Sequence, residues 1–474
     1  MAKPSEILRS KFPFEPTPGQ RQLFKRFDDF LLKPDLYKPT MLIRGYAGTG
    51  KTTVISAIVK MLPFFNYSSV LMAPTGRAAK VMSSYAKRTA FTIHKKVFHQ
   101  TSDPGGELTF SRQKNYHKNT LFIVDEASML SDNADFGRQG LLADLMAYVF
   151  ENEGNRLLFI GDVAQLPPVG SLESPALETA YLKSTFKIDV GMVELRDVMR
   201  QEESSGILFN ATNLRHELSK DTFEIRFATS RFKDVFKMTG ERLEDGLRYA
   251  YDKYGVENTA VVCRSNKNAV QYNQYIRMAL QHREDELEAG DILMIVRNNY
   301  HYMPENVPGG FLANGDFVEV LKIVRFEDYY GLRFATLDLQ LVDYPDHEPF
   351  EAKIILDTLS SSEASLNNEA YRRLYQEVSV EYMDIASAAE RKQAIKKDPF
   401  LNALQVKFAY ALTCHKSQGG QWEAVFVDQG YLNDDMVDRE YIRWLYTAIT
   451  RASKELYLVN FHTKFYGGTA EVEE

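Results

Sequence analysis

The chain has 474 residues, 44% of them hydrophobic and 26% charged, and a formal net charge of −7. That length exceeds one hydrophobic core and implies two to four domains of ordinary globular composition. The acidic balance excludes a surface that coats nucleic acid non-specifically, so positive charge for such a ligand has to be gathered in a groove.

No apolar run reaches the length of a membrane span, and the N-terminal stretch lacks a signal-peptide core. Cys263 and Cys414 lie far apart without metal-ligand spacing. A disulfide framework or zinc site is therefore not expected, and a reducing cytoplasm suits the chain.

In chain order, the first strong signal is the run Gly45-Tyr46-Ala47-Gly48-Thr49-Gly50-Lys51-Thr52. It fits the phosphate-binding loop, with an apolar strand over Met41 to Arg44 before it and a helix over Thr53 to Met61 behind it. Glycines let successive N–H groups turn toward phosphates. Lys51 adds a point charge at the β and γ oxygens, and the Thr52 hydroxyl can ligate Mg²⁺. Gly45, Ala47, Gly48, Thr49, Gly50, Lys51, Thr52 and Thr53 are the expected nucleotide contacts.

Three strand-like runs follow at Ser69 to Met72, Thr120 to Val124 and Arg156 to Ile160, separated by helical stretches. Alternation of this kind predicts a parallel sheet whose ligands gather at the carboxyl ends of its strands. The tails Pro74-Thr75-Gly76-Arg77, Asp125-Glu126 and Gly161-Asp162-Val163-Ala164-Gln165 therefore become candidates. Asp125 can hold a metal and Glu126 can deprotonate water, the two tasks of γ-phosphate hydrolysis, although such a pair can also be a helix cap. Gln165 can hydrogen-bond a γ-phosphate or simply satisfy its own loop. Between the first and second of these strands, Lys95 to Ser102 and Glu107 to Arg112 flank Asp103-Pro104-Gly105-Gly106 and read as a β-hairpin carrying Phe98 and Phe110.

A second α/β unit is expected from Met192, with a strand at Thr259 to Cys263 and a helix at Asn266 to Leu280. From Gly290 the pattern changes to four strands, Ile292 to Val296, Phe317 to Val324, Phe334 to Val342 and Ala352 to Leu356, then to a polar helical stretch over Ser365 to Lys397. The α/β pattern resumes at Phe408 to Thr413, Ala424 to Asp428 and Leu456 to Asn460, so the β module is an insertion. The expected domains are 1–191, then 192–289 joined with 401–474, with 290–400 inserted.

Two arginines of the second unit, Arg200 and Arg451, are candidates to cross a cleft toward the γ-phosphate. Thr413-Cys414-His415-Lys416-Ser417-Gln418-Gly419, a strand running into a polar loop, and Thr92-Ile93-His94-Lys95 offer hydroxyls, cations and amides to a phosphodiester backbone.

In order, GYAGTGKT, APTGRAA, VDEAS, GDVAQLPPV, the VMRQ arginine, TCHKSQG and YTAITRA resemble the motifs of superfamily-one helicases, most closely the RecD-like branch. The likeness runs from Thr17-Pro18-Gly19-Gln20 to Arg451. It implies two RecA-like P-loop NTPase domains, a β-hairpin insertion in the first (about 95–118) that splits duplex, and an SH3-like β-barrel insertion in the second. It implies an ATP- and Mg²⁺-dependent, monomeric motor moving 5′ to 3′ on single-stranded DNA and acting at duplex junctions. Replication, recombination or repair would be its setting, with single-strand-binding, replication or repair proteins as partners. By the same resemblance, Gln20 reads the adenine edge, and Thr52 and Asp125 hold the metal while Glu126 activates water. Lys51, Gln165, Arg200 and Arg451 surround the γ-phosphate. Pro74, Thr75, Arg77, His94, Phe98, Thr413, His415, Lys416 and Ser417 follow the strand.

Overall fold

A computed structural model describes residues 2–102, 108–132, 140–198, 204–299, 301–302, 312–345 and 347–466. Arg200, the hairpin tip at 103–107 and the side chain of Phe110 lie outside the described residues.

The first lobe is built on a six-stranded, wholly parallel sheet in the order Ala90–Thr92, Ser68–Ala73, Thr120–Val124, Arg156–Gly161, Thr40–Gly45, Val190–Leu195. Every residue of Thr120–Val124 and Arg156–Gly161 is buried. Helices cover both faces, so these strands read as unbroken apolar runs rather than alternating ones. Leu23, Phe27, Val54, Ile58 and Met82 fill one face; Phe122, Leu142, Leu145, Tyr148 and Phe159 fill the other. Val190–Leu195 pairs in parallel with Thr40–Gly45. The expected boundary at 191/192 therefore cuts a strand of the first sheet, and the lobe extends through Leu195.

The second lobe has a five-stranded parallel sheet ordered Ala411–Thr413, Thr259–Cys263, Trp422–Asp428, Ala452–Val459, Val235–Met238. Between the first and last thirds of that lobe lies a closed barrel of five strands: Ile292–Ile295, Phe317–Tyr329, Leu332–Leu341, Phe350–Ile355 and Leu404–Phe408. Only four were expected. The fifth, Leu404–Phe408, pairs antiparallel with Ile292–Ile295 and parallel with Phe350–Ile355, past the expected limit at 400. All five of its residues are buried, Gln405 and Lys407 included, so neither alternation nor uniform apolarity betrays it in the sequence.

Where the barrel meets the lobe, Asp291 is fully buried and accepts from Arg277 Nε and Nη2 at 2.9 Å each, from the Tyr410 hydroxyl at 3.0 Å and from the Glu288 N–H at 2.8 Å, with Arg283 beside it. A buried ion pair is tolerable when its remaining lone pairs are satisfied in this way.

The hairpin strands are Phe98–Ser102 and Leu108–Arg112, antiparallel. Lys95 to Val97, expected in the first arm, instead end a short helix, Ile93–Val97, capped by the Thr92 hydroxyl. Among the described residues no helix is long and apolar enough to cross a membrane, and Cys263 and Cys414 are free and buried.

Candidate nucleotide seam and strand channel

The phosphate loop connects strand Thr40–Gly45 to helix Lys51–Met61. Gly48 and Gly50 hold φ of 74° and 78°, which a side chain would strain, and a Cβ on Gly45 would stand 2.9 Å from Lys51 Cγ. The loop thus curls over the N-terminus of the helix, where unpaired N–H groups and the helix dipole favour an anion. Lys51 Nζ donates back to the carbonyl oxygens of Gly45 (2.8 Å) and Tyr46 (2.9 Å). Thr49 donates its hydroxyl to Tyr46 O at 2.8 Å. Thr52 is exposed at the start of the helix and Thr53 half-buried.

Strand Thr120–Val124 delivers Asp125 beside this loop. One carboxylate oxygen accepts from the Tyr85 hydroxyl at 2.6 Å, the other from the Glu126 N–H at 2.9 Å. Burial, then the neighbouring Glu126 carboxylate, push Asp125 up to about 6, while Tyr85 and Lys51 pull it back. Glu126 turns away at a φ of 51° and stays partly exposed. An exposed hydroxyl and a hydrogen-bonded carboxylate at a helix N-terminus are hard oxygen ligands of the kind Mg²⁺ takes alongside nucleotide and water. Among the described residues no group of three or more His, Cys, Asp or Glu forms an all-protein metal cage.

Gln165 is 5% exposed, and its Oε1 has no hydrogen-bond partner. A buried acceptor without a donor fits an ordered water or a ligand group.

The second lobe reaches this seam through helix Arg439–Ile449. The Tyr446 hydroxyl accepts from the Ala47 N–H at 2.9 Å and donates to Asp162 Oδ2 at 2.6 Å. The next residue, Thr447, accepts from Leu166 N at Oγ1 (2.9 Å), while Arg443, about one turn back, grips both Glu173 oxygens at 2.9 Å. Gln418 Nε2 donates to Leu166 O at 2.8 Å. Burial pushes the Tyr446 phenol well up and raises Asp162. A second contact sits nearby, where Tyr46 donates to Glu194 at 2.7 Å under the Arg215 guanidinium, 4.4 Å from the ring.

Several expected residues are placed differently. Gln20 is wholly buried: its Oε1 accepts from Thr17 N (3.0 Å) in a capping box and its Nε2 donates to Thr49 O (3.0 Å). It braces the phosphate loop from behind instead of standing open to a base. Arg451 is buried, and its hydrogen-bond partners are Thr447 O, Gly420 O and Thr450 Oγ1, all in its own lobe. In this segment Tyr446, and not the arginine, touches the phosphate loop. The arginine attracts attention as a charge, whereas a phenol in an amphipathic helix reads as core.

Below the seam, a cavity of ≈ 1630 Å³ opens between the lobes and the barrel. Pro74, Thr75, His94, His415 and Lys416 line it. Burial lowers both histidines, favouring neutral imidazoles, and brings Lys416 down to about 8 beside Asn314. Arg77 is elsewhere, stacked between Phe317 of the barrel (4.6 Å) and Trp422 of the second lobe (4.1 Å). Ser417 is fully buried and donates to Cys414 O at 2.8 Å, so its hydroxyl serves its own turn. Thr413 caps that turn and does not line the cavity. Phe98 also lies off the cavity, half-buried, its ring 5.9 Å from that of His94.

A P-loop lobe joined through its phosphate loop to a second parallel-sheet lobe, with a barrel inserted in the latter, defines a two-lobed P-loop architecture with the phosphate loop at the seam. Residues 31–171 match the family model of an AAA domain, and 408–459 that of a UvrD-like helicase C-terminal domain. An uncharacterized mimivirus protein, R530, is 24% identical over 87% of this chain and 93% of its own length. The ATP-dependent DNA helicase Dda of phage T4 is 23% identical over 89% and 94%. The ATP-dependent RecD2 DNA helicase of Deinococcus radiodurans is 32% identical over 37% of this chain and 22% of its own. These matches make the chain a homologue of the ATP-dependent DNA helicases Dda and RecD2.

Proposed function

We propose that this protein is an ATP-driven motor that moves 5′ to 3′ along single-stranded DNA and separates duplex strands in replication, recombination or repair. The observation that carries this reading is the Ala47–Tyr446–Asp162 bridge, which couples the phosphate loop of one lobe to the YTAITRA helix of the other. ATP binding has to exchange internal bonds, those of Lys51 with the loop carbonyls, for bonds to phosphate. Any such exchange is felt by Tyr446, three ångströms from Ala47 N.

In this mechanism Lys51 and the loop amides hold the triphosphate, while Thr52 and Asp125 would hold Mg²⁺, which would supply charge neutralisation at the phosphates. Glu126 takes the proton of the attacking water, and Gln165 orients that water through its unpaired Oε1. Arg200 and Arg451 are the charges proposed to approach from the second lobe; Arg451 must first leave its partners Thr447, Gly420 and Thr450. Pro74, Thr75, His94, His415 and Lys416 guide the strand. If the lobes grip it alternately, each cycle advances the motor by about one nucleotide. ATP hydrolysis exceeds the roughly 1.4 kcal/mol of a base-pair step. Directionality rests on the relationship to the RecD-like branch.

The test is unwinding of duplexes bearing either a 5′ or a 3′ single-stranded tail, with ATP. Opening of the 5′-tailed duplex is expected. Opening of the 3′-tailed substrate alone would reverse the direction, and ATP turnover without strand separation on either would replace the motor with a nucleotide-gated clamp.

A further inference from the structure

One wall of the cavity comes from a part of the chain that no motif covers. Helices Asn368–Glu381 and Ala388–Lys396 follow the fourth barrel strand and pack on the barrel through Leu374 and Val378 against Phe334, Ile355 and Ala403. Tyr371 and Tyr375 of the first helix and Lys392, Gln393, Ile395 and Lys396 of the second line the same cavity as Thr75 and His94. Among the described residues, five Lys and Arg side chains line that cavity, Arg297, Lys392, Lys396, Lys397 and Lys416, with no Asp or Glu beside them in the lining. Carboxylates outnumber cations in the chain, 64 to 57, so a lining of one sign is not a sample of the average surface. Three of the five cations belong to the arm or its end.

Aromatic groups stand among these charges. Tyr371 and Tyr375, one helical turn apart, both line the cavity; Tyr375 is 43% exposed, and the Arg297 guanidinium lies 4.8 Å from the Tyr371 ring. A groove whose described lining interleaves cations with rings and holds no carboxylate has the physical signature of a single-strand site, because rings stack on bases of any sequence and cations follow the backbone. The core of a protein–protein interface is depleted in charged residues, lysine among them, unlike this lining.

We propose that this helical arm is the outer wall of the strand channel, with Lys392 and Lys397 holding phosphates and Tyr375 and the Arg297–Tyr371 pair stacking bases of single-stranded DNA. The proposal rests on the motor reading above and adds a grip supplied by the insertion. Strand retention then depends on the arm, while the ATP seam does not.

The test is binding of a fluorescent oligothymidylate to full-length protein across a salt series. Lys392→Ala/Lys397→Ala should flatten the salt slope by about 1.4, since each phosphate contact on a single strand contributes roughly 0.7. Tyr375→Ala should weaken binding by about five- to a hundredfold at an unchanged slope. Fluorescent ADP affinity and Tm should match wild type in both variants, showing that seam and fold are intact. Wild-type slope in the lysine variant and wild-type affinity in Tyr375→Ala overturn the arm as a wall. Wild-type protein that fails to bind the oligomer at low salt would overturn the motor reading itself.

Discussion

The nucleotide seam and the strand channel use their polar groups in opposite ways. At the seam nearly every group is already engaged by protein: Lys51 by loop carbonyls, Gln20 by Thr17 and Thr49, Arg451 by its own lobe, Tyr446 by Ala47 and Asp162. In the channel, cations and rings border open volume. A ligand at the seam has to trade bonds, and each trade moves a neighbour; a strand in the channel meets groups that face open volume. The seam is therefore built to switch and the channel to guide.

Removing the pivot of the switch should have the largest effect. Lys51→Ala is expected to abolish strand-stimulated ATP turnover, by at least about a thousandfold, because positioning and charge carry nearly all phosphoryl-transfer catalysis. Strand affinity in a filter-binding assay should stay within about twofold of wild type. Residual turnover near wild type would remove Lys51 from the site.

Tyr446→Phe comes next. It leaves the Ala47 N–H and the Asp162 carboxylate without a shared partner, and a hydrogen bond to a charged group is worth about 1.5–3 kcal/mol. Strand-stimulated kcat should drop about tenfold or more while strand affinity holds. An unchanged kcat would mean that the bridge is only structural.

Arg77→Ala tests whether that arginine belongs to either region. Losing two ring contacts of roughly 0.5–2 kcal/mol each should lower Tm by several degrees, with strand affinity at fixed salt nearly unchanged. A steep loss of affinity at unchanged Tm would return Arg77 to the strand.

The smallest effect concerns Lys416, brought down to about 8 by burial. The cation is present below that value, so strand affinity should decline modestly as pH rises through about 8, a step that Lys416→Met should erase. The folded state binds fewer protons than the unfolded chain between about 8 and the ordinary lysine value, so the Lys416 penalty on stability is full below about 8 and is relieved as pH climbs through that window. Lys416→Met should therefore raise Tm at neutral pH while weakening the strand. A Tm that falls instead would show that the charge is well accommodated.

The sheets were legible because parallel strands buried on both faces are written as short apolar runs ending in loops. Phosphate-loop glycines were legible too, since their positive φ permits little else. Leu404–Phe408 was not, because a buried Lys407 and Gln405 break its apolar pattern. Val190–Leu195 was read as a beginning because its partner, Thr40–Gly45, lies far back in the chain. At the site, the expected segments border the seam and the cavity, but not always through the expected side chain. Arg451 and Ser417 face inward while Tyr446 and Lys416 of the same motifs face the seam and the cavity, a choice made by helix rotation. Tyr85, which holds Asp125, lies in a helix with nothing local to mark it.

The barrel enters and leaves the second lobe at a single doorway: Leu293 pairs with Phe408, and Ala409 N donates to Ile292 O at 3.0 Å. A cassette with such neighbouring ends can be exchanged or resized without re-threading the parallel sheet beneath it. The Arg277–Asp291–Tyr410 knot is the socket into which it plugs. Gene rearrangement could thus fit this engine with different strand-handling attachments while the hydrolytic machinery stays fixed.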